Sequence, residues 1–283
     1  MTNPNLLTVE RITKGFGLGP AREPVLEQCS FTLEEGRLTV LIGPSGCGKS
    51  TLVNVLAGYE GVDAGEVRIL GEPVRGPGSD RLVVFQESAL FQWMTTYENI
   101  VYGPTVMRKR PRAEIHADAI RLLEKIGLAE FKDKYPGQLS VGMQRRAELA
   151  RAIIANPKIM MLDEPFRGLD AMTRDLMQEY FLRLYEERQQ PVLFVTSEID
   201  EAIFLADRVL IMSNRPGHIK HVIEIELPRP RTPDILTSIA YLKYKQEALE
   251  VLHAEAVKAF SSGSKAAADF LAGYAAQEEN NLN

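Results

Sequence analysis

Cysteine is scarce: Cys29 and Cys47 are the only two in 283 residues. Two cysteines cannot make a disulfide framework, and they suit a chain that works in a reducing interior. No run of eighteen apolar residues occurs, which excludes a helix that spans a bilayer by itself. The opening Met1-Thr2-Asn3-Pro4-Asn5-Leu6 lacks the basic and apolar stretches of a secretory signal, so the chain is expected in the cytoplasm. An excess of positive charge is missing too. The 33 Lys and Arg side chains face 38 Asp and Glu, a net charge of −5, which argues against a nucleic-acid partner. No internal repeat at the roughly 20–50-residue periods of solenoids is visible. What remains is ordinary for a soluble globular protein, 45% hydrophobic and 25% charged. The length allows one large domain, or one domain with a small annex, and a sizeable buried core.

Short apolar runs closed by turn residues read as buried strands at Arg37 to Ser45, Arg81 to Phe85, Ile159 to Leu162 and Val192 to Thr196. Between them the apolar residues fall at helical spacing, as at Ile115, Ala119, Leu122, Leu123 and Ile126, and again at Leu176, Tyr180, Phe181 and Leu184. Strands alternating with helices predict an α/β fold with a largely parallel central sheet. Residues 6–36 and Glu66 to Leu70 are expected to add an antiparallel annex. Beyond Asn214 the texture changes. Arg215-Pro216-Gly217 and Leu227 to Pro233 read as loop, residues 234–260 return to helical period, and Ser261 to Ser264 reads as a flexible hinge before an Ala-rich segment and a polar end.

Gly43-Pro44-Ser45-Gly46-Cys47-Gly48-Lys49-Ser50 matches G-x-x-x-x-G-K-[ST], with a strand before it and a helical stretch from Thr51 after it. The pattern suits phosphate because glycines let the backbone wrap closely round the anion, with N–H groups and a helix N-terminus facing its charge. Lys49 is then the residue to reach the β- and γ-phosphates, and Ser50 the one to hold Mg²⁺. A second metal anchor is expected at the end of a neighbouring buried strand, and Ile159-Met160-Met161-Leu162-Asp163-Glu164 supplies it. Asp163 would bind Mg²⁺ through water. Glu164, one residue on, would polarise the attacking water as general base. Alone, Asp-Glu after a strand could equally be a solvated turn; the phosphate loop decides for function.

Further motifs stand in order. Leu139-Ser140-Val141-Gly142-Met143-Gln144 begins 24 residues before Asp163 and resembles the signature segment of ABC-transporter ATPases. Phe166-Arg167-Gly168-Leu169-Asp170 resembles their D-loop, and Val84-Phe85-Gln86-Glu87 their Q-loop. The resemblance covers about residues 6–230. Gly78 to Gln86, Tyr97-Glu98-Asn99-Ile100 and Asp200 to Val209 are similar to the ATPase subunits of nitrate, bicarbonate, sulfonate and taurine importers. The resemblance implies a P-loop ABC ATPase domain over residues 1–230 with a helical subdomain at about 88–158, and a C-terminal extension over 231–283. It implies a head-to-tail dimer in which each ATP lies between the phosphate loop of one subunit and the signature of the other. Phe16 would stack on adenine and Gln86 would touch Mg²⁺. Ser140 and Gly142 would meet the γ-phosphate of the partner's ATP, and Asp170 would lie at the dimer seam. Implied partners are transmembrane permease subunits, a second ATPase subunit and, indirectly, a solute-binding protein. The expected location is the cytoplasmic face of the membrane, and the expected cargo a small, anionic solute. Phe91, Trp93 and Met94 either line the groove for the permease or pack the helical subdomain. Residues 234–260 either form a solvated tail or dock on or regulate a partner ATPase.

Three departures qualify the resemblance. The family carries a histidine after the strand read here as Val192 to Thr196, where this chain has Thr196-Ser197-Glu198; His116, His218, His221 and His253 all lie out of that register. Ser197 is uncharged and short, and loss of a positioned acid–base group costs about 10²–10⁴ in rate. Val141 stands where the family prefers glycine; a β-branched residue tolerates positive φ poorly. Arg167 stands where the family has a small residue, and reads as a surface or seam charge. In a homodimer each composite site would combine Ser197 with Val141; opposite a standard ATPase each site would carry one departure. An asymmetric pair with this chain as the weaker half is therefore expected, the alternative being an inactive, structural ATP-binding subunit.

Overall fold

The computed structural model describes residues 5–263. In chain order the elements are β1 (Asn5–Phe16), β2 (Glu23–Glu34), β3 (Leu38–Ile42), α1 (Lys49–Ala57), β4 (Ala64–Ile69), β5 (Glu72–Pro73), β6 (Arg81–Val84), α2 (Thr96–Met107) and α3 (Arg112–Lys125). They continue as α4 (Val141–Ala155), β7 (Ile159–Asp163), α5 (Ala171–Arg188), β8 (Val192–Val195), α6 (Ile199–Leu205), β9 (Arg208–Met212), β10 (Ile219–Glu224) and α7 (Ile239–Gly263). The six-stranded sheet has the order β10-β9-β3-β8-β7-β6 and is parallel except for its β10 edge. The second sheet, β2-β1-β4-β5, is antiparallel. This is the α/β architecture with an antiparallel annex that the alternating pattern predicts.

β3, β7 and β8 are buried along their whole length, because helices cover one face of the parallel sheet and the annex the other. One core cluster joins that sheet to α5 and α6 through Phe194, Phe181 and Phe204; another joins it to the annex and α1 through Leu41, Leu26 and Leu52. A third lies within the helical subdomain, where Ile100, Leu123 and Ala147 bring α2, α3 and α4 together. α2 starts with a capping box, Thr95 accepting from the Glu98 amide while Glu98 accepts from the Thr95 amide, which satisfies two amides the helix would leave unpaired.

The C-terminal segment differs from the solvated tail that its composition allows. α7 packs on the chain's own ATPase core, with Tyr241 and Ala248 in the same cluster as Phe204 and Val209. Tyr241 donates to Asp200 (2.6 Å) and Lys245 pairs with it (2.7 Å). Burial opposes the charged form of Asp200, but these two bonds outweigh it and hold its carboxyl below the ordinary range. The expected hinge also differs: α7 runs through Ser261 and Ser262 to Gly263, while Ser264, the Ala-rich segment and the polar end lie outside the described residues. A short 3-10 turn (Pro233–Thr237) precedes α7, where a continuous helix from 234 is expected; Pro233 begins that turn because its ring fixes φ and offers no N–H.

Candidate nucleotide site

The phosphate loop joins β3 to α1 at the C-terminal edge of the parallel sheet, where open α/β sheets bind ligands. Two of its glycines answer to different constraints. Gly48 has φ of +108°, and a Cβ there would lie 3.0–3.2 Å from Leu26, Val25 and the Val25 carbonyl. Gly43 has ordinary dihedrals, but a Cβ would meet Met212 at 2.9 Å and the Cys47 sulfur at 3.0 Å. The loop is therefore packed tightly against β2 and Met212, and it is closed by the Cys47 amide donating to the Pro44 carbonyl at 3.3 Å. Lys49, 7% exposed, curls back so that Nζ donates to the carbonyls of Gly43 (2.9 Å) and Pro44 (3.2 Å). Cys47 is fully buried, and burial raises its thiol pKa, so its part is to pack.

A cavity of about 360 Å³ lies over this loop, lined by Ser45, Gly46, Gly48, Lys49, Ser50 and Thr51 together with Phe16, Gln86, Glu164, Arg167 and Arg215. The structure thus brings Phe16, Gln86 and Glu164 to the phosphate loop across 148 residues of chain. Phe16 is 42% exposed and carries the Lys14 ammonium 4.9 Å from its ring centroid, so it is not core. Asp163 ends β7 below the cavity. Burial raises its pKa, the Ser50 hydroxyl bonded to it lowers it, and the neighbouring Glu164 raises it again. Its Oδ1 is buried and has no hydrogen-bond partner. A buried carboxylate oxygen left unpaired beside a serine hydroxyl is a donor set that suits a hard divalent cation such as Mg²⁺.

Glu164 follows with φ of +45°, an uncommon conformation for a side-chain-bearing residue. Its amide donates to the Val195 carbonyl at 2.8 Å, and the turn swings its carboxylate toward the cavity. Both oxygens are engaged: Ser197 Oγ donates to Oε1 (2.8 Å) and Arg167 Nη1 to Oε2 (2.8 Å). Arg167, read from sequence as a surface or seam charge, is thus a partner of the candidate base. Ser197 lies beside a cavity of about 220 Å³ that also touches Ser45 and Glu201.

Ser140 and Gly142 are not brought to this cavity. They line a separate one of about 800 Å³ with Val141, Gly168, Asp170 and Leu176. Ser140 caps α4, its hydroxyl accepting from the Met143 amide at 3.3 Å, and Asp170 caps α5, accepting from Thr173 at 3.0 Å. Val141 is the first residue of α4 and is not among the residues with positive φ. The backbone difficulty expected of it does not arise; only its side chain, 62% exposed, projects from the signature.

Two contributions escape sequence reasoning. Arg215, read as loop material, reaches the phosphate cavity, held by bonds to the Pro24 carbonyl and the Glu23 carboxylate, both 3.1 Å. Arg145, buried on α4 and paired with Glu148 at 2.7 Å, donates to the carbonyls of Phe85 and Gln86, while Glu148 accepts from the Ala89 amide. The available signal was weak, since Arg145 stands in a helix that also carries Gln144, Arg146, Glu148 and Arg151. Beyond the Q-loop, Phe91 packs at a tilt against Trp93 (ring centroids 5.3 Å apart) and edge-to-face against Tyr102 (4.9 Å), and Trp93 is 72% exposed. Of the two readings of this trio, core packing does not describe Trp93. Buried Asn99 holds the loop, bonding to the backbone of Phe91, Met94 and Thr95.

A glycine loop between a buried parallel strand and a helix, a cation-ready carboxylate at the end of β7, separated from β3 in the sheet by β8, and an antiparallel annex carrying an exposed ring define a P-loop nucleotide-binding ATPase of the cassette type. Residues 26–167 match the family model described as ABC transporter, and the chain belongs to that family. An uncharacterized ABC transporter ATP-binding protein of Methanocaldococcus jannaschii is 40% identical over 254 residues, covering 89% of this chain and 93% of its own length. The bicarbonate transport ATP-binding protein CmpD of Synechocystis is 39% identical (87% and 89% covered), and the aliphatic sulfonates import ATP-binding protein SsuB of Bacillus cereus 38% identical (86% and 94% covered). Among solved structures, a dimeric bacterial ABC transporter cassette superposes with a TM-score of 0.68 at 26% identity, covering 78% of this chain and 100% of that one. As a member of this family the chain binds ATP and is an ATPase subunit. Among the described residues, no helix is long and apolar enough to cross a membrane.

Proposed function

We propose that the chain is the ATP-binding subunit of an importer, working at the cytoplasmic face of a membrane through separate permease subunits. The carrying observation is the pairing of a complete phosphate-loop cavity with a signature that faces a different cavity. A chain built in this way needs a second ATPase subunit to cover its nucleotide. Exposed Val141, Met172 and Leu176 beside the signature give that partner an apolar surface. The bicarbonate and sulfonate relatives support import of a small anionic solute delivered by a solute-binding protein. Exposed Trp93, backed by Phe91, suits a permease segment, aromatics being favoured anchors.

In this reading Phe16 stacks on adenine. The loop from Gly43 to Thr51 cradles the phosphates with Lys49, and Ser50, Asp163 and Gln86 hold Mg²⁺. Glu164 is the general base. Bound Mg²⁺ would supply charge neutralisation on the β- and γ-phosphates. Ser140 and Gly142 serve the ATP of the partner, and Asp170 lies at the seam. The chain is the weaker half of an asymmetric pair, since Ser197 offers a hydroxyl where an imidazole is expected. A second reading, an inactive structural subunit, is favoured by the engagement of both Glu164 oxygens.

Native mass spectrometry of the detergent-solubilised complex, captured through a tag on this chain, tests the pair. One copy beside a different ATPase and a permease is expected. Two copies of this chain would overturn the asymmetric arrangement, and recovery without any membrane subunit would overturn the importer.

A further inference from the structure

Arg167 is 63% exposed on its side chain, yet it reaches back 2.8 Å to a Glu164 carboxylate that is only 12% exposed. That bond is the only polar contact of its side chain among the described residues. A guanidinium carries five N–H donors in a planar fork, so most of its donors are uncommitted. Arg167 also forms wall in two cavities, the one over Lys49, Ser50 and Gln86 and the one beside Ser197. It therefore lies on the boundary where the terminal phosphate of a nucleotide in the loop would meet the base.

Charge makes the position consequential. A γ-phosphate approaching Glu164 brings like charge toward a poorly solvated carboxylate, an arrangement that disfavours both ionised groups. Lys49 approaches from the loop side, and Ser197, on the other side, is neutral. Arg215 also lines the cavity over the loop and Arg174 the one beside Ser197, but Arg167 is the cation that lines both and touches Glu164, and its fork can serve two anions at once.

We propose that Arg167 is a second cation for the γ-phosphate of ATP held by its own chain, keeping one N–H on Glu164 and turning others to phosphate oxygens. The chain would then discriminate triphosphate from diphosphate through this residue. The proposal rests on the ATP-site reading given above. The role differs from a surface charge, because it requires contact with nucleotide, and from a brake on Glu164, because it acts on affinity.

Isothermal titration of the full chain, with Mg²⁺ and either a non-hydrolysable ATP analogue or ADP, tests it. Arg167→Ala is expected to weaken analogue binding about 10-fold, equivalent to about 1.4 kcal/mol, with ADP affinity within about twofold of the unaltered chain. Arg167→Lys, which keeps the charge but not the fork, is expected to fall between. An equal loss for both nucleotides, or no loss for either, overturns the role of Arg167 while leaving the ATP site standing. Failure of the unaltered chain to bind either nucleotide overturns the ATP-site reading and this proposal together. A melting curve for each variant guards against misfolding, which the exposed loop position of Arg167 makes a small risk.

Discussion

Replacing Ser197 by histidine is expected to accelerate ATP hydrolysis. The hydroxyl of Ser197 gives Glu164 a single hydrogen bond at 2.8 Å, and an imidazole there would add an acid–base group beside the same carboxylate. The adjoining cavity of about 220 Å³ gives the ring space without displacing the core residues Phe166 and Thr196. A positioned general acid–base group contributes about 10²–10⁴ in rate, or about 2.7–5.4 kcal/mol in barrier. Against this stands the lost hydroxyl bond, worth about 1 kcal/mol at an exposed site, or about a factor of five. The net expectation is an increase of about 20-fold or more in turnover. The assay is phosphate release at saturating Mg²⁺–ATP, with protein concentration raised until the specific rate levels off, so that dimerisation is not limiting. Ser197→Ala, which removes the bond and adds nothing, is expected to change turnover by no more than about fivefold. A Ser197→His rate within twofold of the unaltered chain, at equal affinity for an ATP analogue, would refute the argument that the missing imidazole limits this site.

Because burial raises the pKa of Asp163, the ligand-free fold holds a proton there more tightly than the unfolded chain does. That group's contribution to the stability of the free protein therefore declines as pH rises through its raised value, whereas Mg²⁺ needs the ionised form. The increase in melting temperature given by Mg²⁺–ADP over the free chain is accordingly expected to shrink as pH falls toward that value; an increase that stays constant down to the lowest pH at which the chain remains folded contradicts the metal role of Asp163. Tyr241→Ala removes a side chain that is 2% exposed, which costs about 3–5 kcal/mol for a large aromatic and on the order of 10 °C in melting temperature for a chain of this size. Calorimetry checks it, and an unchanged transition would mean that α7 does not pack as described. Gly48→Val places a branched side chain at φ +108° against Leu26 and Val25 and is expected to abolish nucleotide binding in a fluorescent-nucleotide assay while the annex remains folded by circular dichroism.

The sequence by itself was enough for the class. A glycine loop between a buried strand and a helix is a local arrangement, and its residues from Gly43 to Ser50 are contiguous, so their chemistry is legible without a fold. The positions of Asp163 and Glu164 at a strand end and of Ser140 at a helix start are legible in the same way, since strand burial and helix capping leave periodic and terminal marks in the chain. What only the tertiary structure decided is how separated side chains share space. Arg167 reads as a surface charge until the turn at Glu164 folds it back on the carboxylate. Arg145 reads as one more helical arginine until α4 carries it beneath the Q-loop carbonyls, and Arg215 as loop until the annex brings Pro24 and Glu23 beneath it. Val141 looked strained until its place as the first residue of α4 gave it ordinary dihedrals. α7 could have been a tail until Tyr241 found Asp200. In each case the partner lies elsewhere in the chain or in a turn whose direction only packing sets. Periodicity reports which face of an element is buried, but not which residue it is buried against.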